Sequence, residues 1–230
     1  MNSDTTTSSP AHGTHDGHTD WDAVYRGDGS DTMAPDPLLL AAAEDLPPGR
    51  ALDLGCGAGG NALALAGRGW RVTGVDIAPR AIAGARASAC RRGLDLELVV
   101  GDSATWQPDG SYDLVLSSYA LPPRGPARTA TLATAVAALA PGGILVIGEW
   151  DEDDCAWGAP GELVTLDELR GHLADLELLR AERLRVPLHR HPGYEHAAGS
   201  RHAEHDEGHG TDAAVLVWAR RPHGILGEDS

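Results

Sequence analysis

The chain has no phenylalanine, only two methionines and three cysteines, and 4% aromatic residues. Without phenylalanine, a core must be aliphatic, built from Leu, Val, Ile and much Ala. Cys56, Cys90 and Cys155 are scattered and show no C-x-x-C spacing, which excludes a disulfide framework and reads as three reduced thiols. No apolar run is long enough to span a bilayer, so no membrane contact is expected. The opening Met1-Asn-Ser-Asp-Thr-Thr-Thr-Ser-Ser-Pro10 lacks the apolar stretch of a signal peptide. Both absences predict a cytoplasmic protein. Basic residues are also few: 18 Lys and Arg face 34 Asp and Glu, a formal net charge of −16 with no lysine-rich run. Proteins that grip nucleic acid draw most of their affinity from neutralising phosphates. This balance therefore points away from DNA and RNA as partners and towards a small molecule; the same charge also serves solubility. Nothing in the composition bears on oligomeric state.

What is present is enough for one good core: 230 residues, 42% of them hydrophobic. Residues 1–19 are polar and predict a disordered tail. Order is expected over 20–221, with a second short tail at 222–230. Trp21 and Tyr25 stand one turn apart on a short amphipathic helix. Asp36-Pro37 reads as a helix cap followed by proline at the first helical position, opening a helix over 38–44. Strands are expected at 50–54, 70–76, 94–100, 112–118 and 143–149, alternating with helices at 61–67, 79–92 and 127–140. That alternation means a parallel sheet covered on both faces. Thr165-Leu-Asp-Glu168 is a capping box that starts a helix over 165–175. A sixth strand follows near 176–185. The seventh, 213–219, is joined to it by a loop without a crossover helix, so it must run antiparallel.

The most informative stretch is Ala51-Leu-Asp-Leu-Gly-Cys-Gly-Ala-Gly-Gly-Asn61. A short apolar strand runs into a turn carrying Gly55, Gly57, Gly59 and Gly60, and a helix opens behind it. Glycines at this spacing let the backbone turn sharply and approach a ligand closely. The helix start presents free N–H groups to something polar or anionic. Asp76 closes the second strand twenty-one residues after Gly55, where a carboxylate can accept hydrogen bonds from both hydroxyls of a ribose. This is the pattern of a nucleoside site. Gly55, Gly57 and Gly60 also satisfy the G-x-G-x-x-G of NAD-binding folds. Asp53 tilts the choice, since it would repel a pyrophosphate but attract a cationic amino-acid head. Asp102, in Val99-Val-Gly-Asp-Ser103, is placed to meet an exocyclic amine at the adenine end.

Asp53, Gly55, Gly57 and Gly59, followed by Asp76 and Asp102 at the ends of the next two strands, resemble the class I S-adenosylmethionine-dependent methyltransferases from about Trp21 to Arg221. The phrases Trp21-Asp-Ala-Val-Tyr25 and Ala51-Leu-Asp-Leu-Gly-Cys-Gly look loosely like the bacterial tellurite-resistance and small-thiol branch. The resemblance implies a single Rossmann-like α/β domain with strand order 3-2-1-4-5-7-6, strand 7 antiparallel, and helices on both faces. It implies S-adenosylmethionine as cofactor, Asp53 facing its ammonium, and Gly55, Cys56, Gly57 and Gly59 in the turn against its methionine part. It further implies Asp76 on the ribose, Ile77 on the adenine, and Asp102 with Ser103 at the adenine amine. Ser118 and Tyr119 follow the fourth strand beside cofactor or acceptor, and Trp21 and Tyr25 cover the site. Cys56 fits the turn by being small rather than as a nucleophile. Methyl transfer demands no fixed catalytic residue, and neither N-P-P-Y nor a Pro-Cys nucleophile is present, so no catalytic base is assigned. An NAD-dependent oxidoreductase and a non-catalytic binding module on the same fold remain the alternatives.

Two further features border the expected site. Glu149-Trp-Asp-Glu-Asp-Asp154 leaves the fifth strand carrying five carboxylates, read either as a solvated loop or as a field disfavouring anionic acceptors. The loop 186–212 overhangs the same face and is rich in histidine, including His202-x-x-His205-x-x-x-His209. Its spacing would suit a transition metal only in a helix, and its glycines favour a mobile lid, so no metal is expected.

Overall fold

The structure, a computed structural model, describes residues 20–25, 34–155, 158–187 and 211–223. In chain order the elements are α1 (Trp21–Val24), α2 (Pro37–Leu40), β1 (Arg50–Leu54), α3 (Gly60–Gly67), β2 (Arg71–Asp76), α4 (Pro79–Arg92), β3 (Glu97–Val100), β4 (Tyr112–Ser118), α5 (Pro126–Ala138), β5 (Leu139–Trp150), α6 (Leu166–His172), β6 (Glu177–Pro187) and β7 (Thr211–Arg220). The strands form one sheet in the order β3-β2-β1-β4-β5-β7-β6. β1 lies parallel to both β2 and β4, and β7 runs antiparallel to β5 and β6. This is the Rossmann-like arrangement expected, and the reversed seventh strand follows from its loop connection to β6.

Alternate strand residues feed two cores, as a sheet covered on both faces requires. Leu52, Leu54, Val115, Leu145, Ile147 and Val217 pack against Leu132 and Ala135 of α5 and Leu169 of α6. Ala51, Val72, Leu114, Leu116, Val146 and Leu216 pack against Leu39 and Leu40 of α2 and Ala62 and Leu65 of α3. Tyr112 and Trp70 are the buried aromatic rings among these aliphatic side chains.

Several boundaries differ from expectation. The 127–140 helix stops at Ala138 and β5 begins at Leu139. Pro141 disfavours a helical Ala140, and Gly142 takes φ +80. β3 starts at Glu97 rather than 94, because Gly93 caps α4 in the left-handed region and the chain must still travel to the sheet. The 38–44 helix is one α-turn continued as a 3-10 turn over Ala41–Ala43, and α6 ends at His172. Residues 186, 187, 211 and 212 are not loop: Val186 pairs with Asp212 and Pro187 with Thr211, lengthening both strands. The histidine segment between them, and both expected tails except residues 222–223, lie outside the described residues.

Candidate functional site

The parallel strands deliver their C-terminal residues to one edge of the sheet, where open α/β sheets bind ligands. Leu54 runs into the glycine turn, which hangs on β2: the N–H groups of Gly55 and Cys56 donate to the Val75 carbonyl at 2.8 and 3.0 Å. Asp76 completes the attachment. Its Oδ2 accepts from the Gly57 N–H and its Oδ1 from the Ala78 N–H, both at 2.8 Å. Burial pushes the Asp76 carboxyl above its ordinary range against the pull of those two amides.

Asp53, the last residue but one of β1, is 1% exposed, and neither of its carboxylate oxygens has a hydrogen-bond partner. Burial first, and the neighbouring Asp76 second, push it up to about 7. The Ala62 N–H in the first turn of α3 pulls the other way, yet falls short of hydrogen-bond geometry. An orphaned buried carboxylate costs free energy unless something supplies donors.

Gly55 and Gly57 take φ +74 and +52, a region unfavourable to side chains. A Cβ on Gly55 would collide with the Ala120 methyl, and one on Gly57 would stand 2.6 Å from the Tyr25 hydroxyl. The turn is thus roofed from two sides, by the segment after β4 and by α1. α1 is latched in turn to α4, where the Asp22 carboxylate accepts the Arg80 N–H at 2.8 Å and pairs with its guanidinium. Gly59 looks elsewhere, since a side chain there would enter the packing of Leu63 and Ala85. Cys56 also points inward, buried with Ile82, Ala85 and Leu98. Burial holds its thiol far from ionisation, which removes it as a nucleophile.

At the next two strand ends the surface turns apolar. Ile77 is 54% and Val100 46% exposed, and Val100 is the register partner of Asp76. Asp102 lies two residues beyond β3, exposed, with Oδ1 accepting the Ala104 N–H at 2.9 Å. The Ser103 hydroxyl shares a 3.1 Å hydrogen bond with the Thr131 hydroxyl of α5. Ser118 ends β4 opposite Gly148. Tyr119 follows with φ +52, alone among the described non-glycine residues in that region. Its ring lies 4.7 Å from that of Trp150. Trp21 is 40% exposed, Tyr25 half-buried.

The acidic run is part buried and part solvated, with Asp153 and Asp154 exposed in the turn after β5. Glu149 and Asp151 are buried, and two arginines of β6 and one from the loop before α5 meet the carboxylates that follow β5. Arg124 pairs with Glu152, Arg183 with Asp151 and Asp153, and Arg185 with Asp154. The Arg183–Asp151 approach, 3.1 Å, is an ion pair without hydrogen-bond alignment, since Asp151 Oδ2 has no hydrogen-bond partner. The bulk of that charge is compensated locally. Two features of the edge were not legible in sequence: the left-handed Tyr119 and the burial of Glu149. An acid within the apolar run 144–150 was the available sign of the second. Among the described residues no cluster of three or more His, Cys, Asp or Glu is placed to hold a metal ion, and no helix is long and apolar enough to cross a membrane.

A glycine turn, acids on successive strand ends and a reversed seventh strand define an α/β domain of Rossmann-like form. Residues 51–143 match the model of a family described as a methyltransferase domain. The chain is 35% identical over 114 residues to a 2-methyl-6-phytyl-1,4-hydroquinone methyltransferase of Synechocystis sp., a match covering 48% of this chain and 35% of that one. It is 36% identical over 119 residues to ribosomal RNA small subunit methyltransferase C of Alcanivorax borkumensis, covering 47% and 35%. The chain thus spans about a third of the length of these curated relatives. In fold it is similar to TehB of Haemophilus influenzae, with a TM-score of 0.68 at 22% identity over 83% of this chain and 63% of that one. Residues 51–143 thus carry the likeness to a methyltransferase domain, and the likeness to TehB is one of fold. The residues present fit S-adenosylmethionine, the cofactor that the sequence resemblance implies: Asp53 lacks a hydrogen-bond partner, the turn leaves no room for side chains, and Ile77 offers an exposed apolar face.

Proposed function

We propose that the chain transfers a methyl group from S-adenosylmethionine to a small-molecule acceptor in the cytoplasm. The observation that carries the reading is the Asp53 carboxylate, buried and without a donor beside a turn that a backbone-hugging ligand would fill. In this reading Asp53 faces the ammonium of the cofactor, and the Gly55–Gly57 backbone lies along its methionine part. Asp76 receives the ribose hydroxyls on the lone pairs that the Gly57 and Ala78 amides leave over. Ile77 lies against the adenine, and Asp102 meets its amine with Ser103 beside it. Tyr25 and Trp21 close the near side; Ser118 and Tyr119 border the acceptor.

The bound cofactor supplies a methyl carbon already activated by its sulfonium. The chain's own work is to hold the acceptor in line, to exclude water and, where the acceptor carries a proton, to let it leave. Tyr119 and Tyr25 are not ready bases, because burial, with acids close by, pushes both phenols well above their ordinary range. The excess of acids over bases supports a small acceptor over an RNA, despite the match to a ribosomal RNA methyltransferase. With the acidic run compensated by arginines, anionic acceptors are not disfavoured on that account.

Calorimetry with S-adenosylhomocysteine tests the cofactor half of the reading, and no binding would overturn it. A screen of labelled methyl transfer over amines, thiols, phenols and carboxylates, with total RNA as one arm, tests the acceptor half. Label appearing only in the RNA would overturn the small-molecule assignment.

A further inference from the structure

Glu149 is the one acid in the apolar run 144–150 of β5, and it is buried. Its Oε1 accepts two backbone amides at once, the Ala120 N–H at 2.7 Å and the Leu121 N–H at 2.8 Å. The residues on either side of it reach the same segment. The Gly148 carbonyl accepts the Tyr119 N–H at 2.8 Å, and the Trp150 ring lies against that of Tyr119. The last three residues of β5 therefore hold residues 119–121 by a carbonyl, a carboxylate and a ring. The held segment includes Tyr119 in the left-handed region, a conformation that persists only when its surroundings impose it. It also includes the Ala120 methyl that roofs Gly55.

We propose that Glu149 is a positioning residue: its carboxylate fixes residues 119–121 over the glycine turn as the wall between cofactor and acceptor, and taking up a proton loosens that wall. The inference rests on the methyltransferase reading for what the wall separates. Charge-assisted hydrogen bonds are roughly twice as strong as neutral ones, so a carboxylate grips two amides far better than a carboxylic acid does. Burial is the main influence on Glu149 and pushes it up to about 7, while the two amides and Arg128 of α5 draw it down. Tyr119 faces it from the end of β4, with Asp36 ahead of α2 and Cys155 after β5 acting on the same phenol. Val215 of β7, its register partner, is apolar. Because the group titrates near neutrality, the wall is held above about pH 7 and loosens below it.

The test follows the Ala120 and Leu121 amides by NMR in the labelled full chain between pH 5.5 and 8.5, beside Glu149→Gln. In the wild type both amide signals move together with one midpoint near 7. On the acid side they exchange with solvent several-fold faster than intrinsic rates allow for. Glu149→Gln keeps an oxygen acceptor without the charge: the titration disappears, and the amides exchange at all pH values as the wild type does in acid. Amides that ignore pH in the wild type, or that titrate equally in Glu149→Gln, overturn the proposal. Calorimetry with S-adenosylhomocysteine on the same samples separates the two readings. Titrating amides in a chain that binds none would sink the methyltransferase reading and leave the carboxylate's hold on the segment intact.

Discussion

Cofactor binding should expel a proton from Asp53. In the free protein this carboxyl is buried without a hydrogen-bond donor, beside Asp76 and the Cys56 thiol, and is pushed up to about 7. A bound ammonium would stabilise the ionised form and return the group towards its ordinary 3.8. The span between those values bounds the coupling at about 4 kcal/mol, each unit being worth about 1.4 kcal/mol. The affinity for S-adenosylhomocysteine should rise by about eightfold between about pH 5.5 and 6.5, more gently through pH 7, and level off near pH 8. At pH 6 binding should release roughly 0.9 proton, falling to roughly 0.5 at pH 7. Calorimetry in buffers of differing ionisation enthalpy counts those protons. The free protein carries the opposite dependence. Its folded pKa lies above the unfolded one, so the stability linked to Asp53 is complete below about pH 4 and is lost as pH rises towards 7. Asp53→Asn should abolish both the proton release and the slope. Binding that is pH-independent in the wild type, or proton release that survives in Asp53→Asn, would refute the reasoning.

Asp76→Ala is expected to weaken S-adenosylhomocysteine binding by about 1–3 kcal/mol, since the ribose loses a charged acceptor and the Gly57 amide its anchor; unchanged calorimetry would remove Asp76 from the site. Gly57→Val should abolish binding. Adding Tyr25→Phe should not restore it, because losing the hydroxyl relieves the contact but not the left-handed backbone, which costs about 1–2 kcal/mol. Arg128 is 1% exposed and donates to the carbonyls of Pro122, Gly161, Glu162 and Leu163 and to Glu168. Arg128→Met should therefore lower stability in urea by about 3–5 kcal/mol, whereas exposed Arg124→Met should cost no more than about 1 kcal/mol. Equal losses would show that burial of the guanidinium carries no special cost.

Alternating apolar strands and helices were enough to predict a covered parallel sheet. The absence of a crossover between the last two strands was enough to reverse the seventh, because chain connectivity limits how neighbouring strands can pair. The glycine turn and the acids Asp53, Asp76 and Asp102 were legible for a similar reason: backbone approach and strand-end placement are local properties with a fixed spacing. Boundaries were less legible where one residue decides, as at Pro141 and Gly93. The acidic run shows the limit most clearly. From sequence its five carboxylates look equivalent, yet tertiary structure buries Glu149 and Asp151 and brings Arg124, Arg183 and Arg185 from distant segments to the rest. Burial and long-range pairing depend on which segments meet across the sheet, and no local pattern encodes that. The same holds for the left-handed Tyr119, imposed by contacts from β5, and for the orphaned state of Asp53. The glycine turn and the strand-end acids were written in local spacing; the burial of Asp53 and Glu149 and the hold of β5 on residues 119–121 were decided only when distant strands packed together and excluded water.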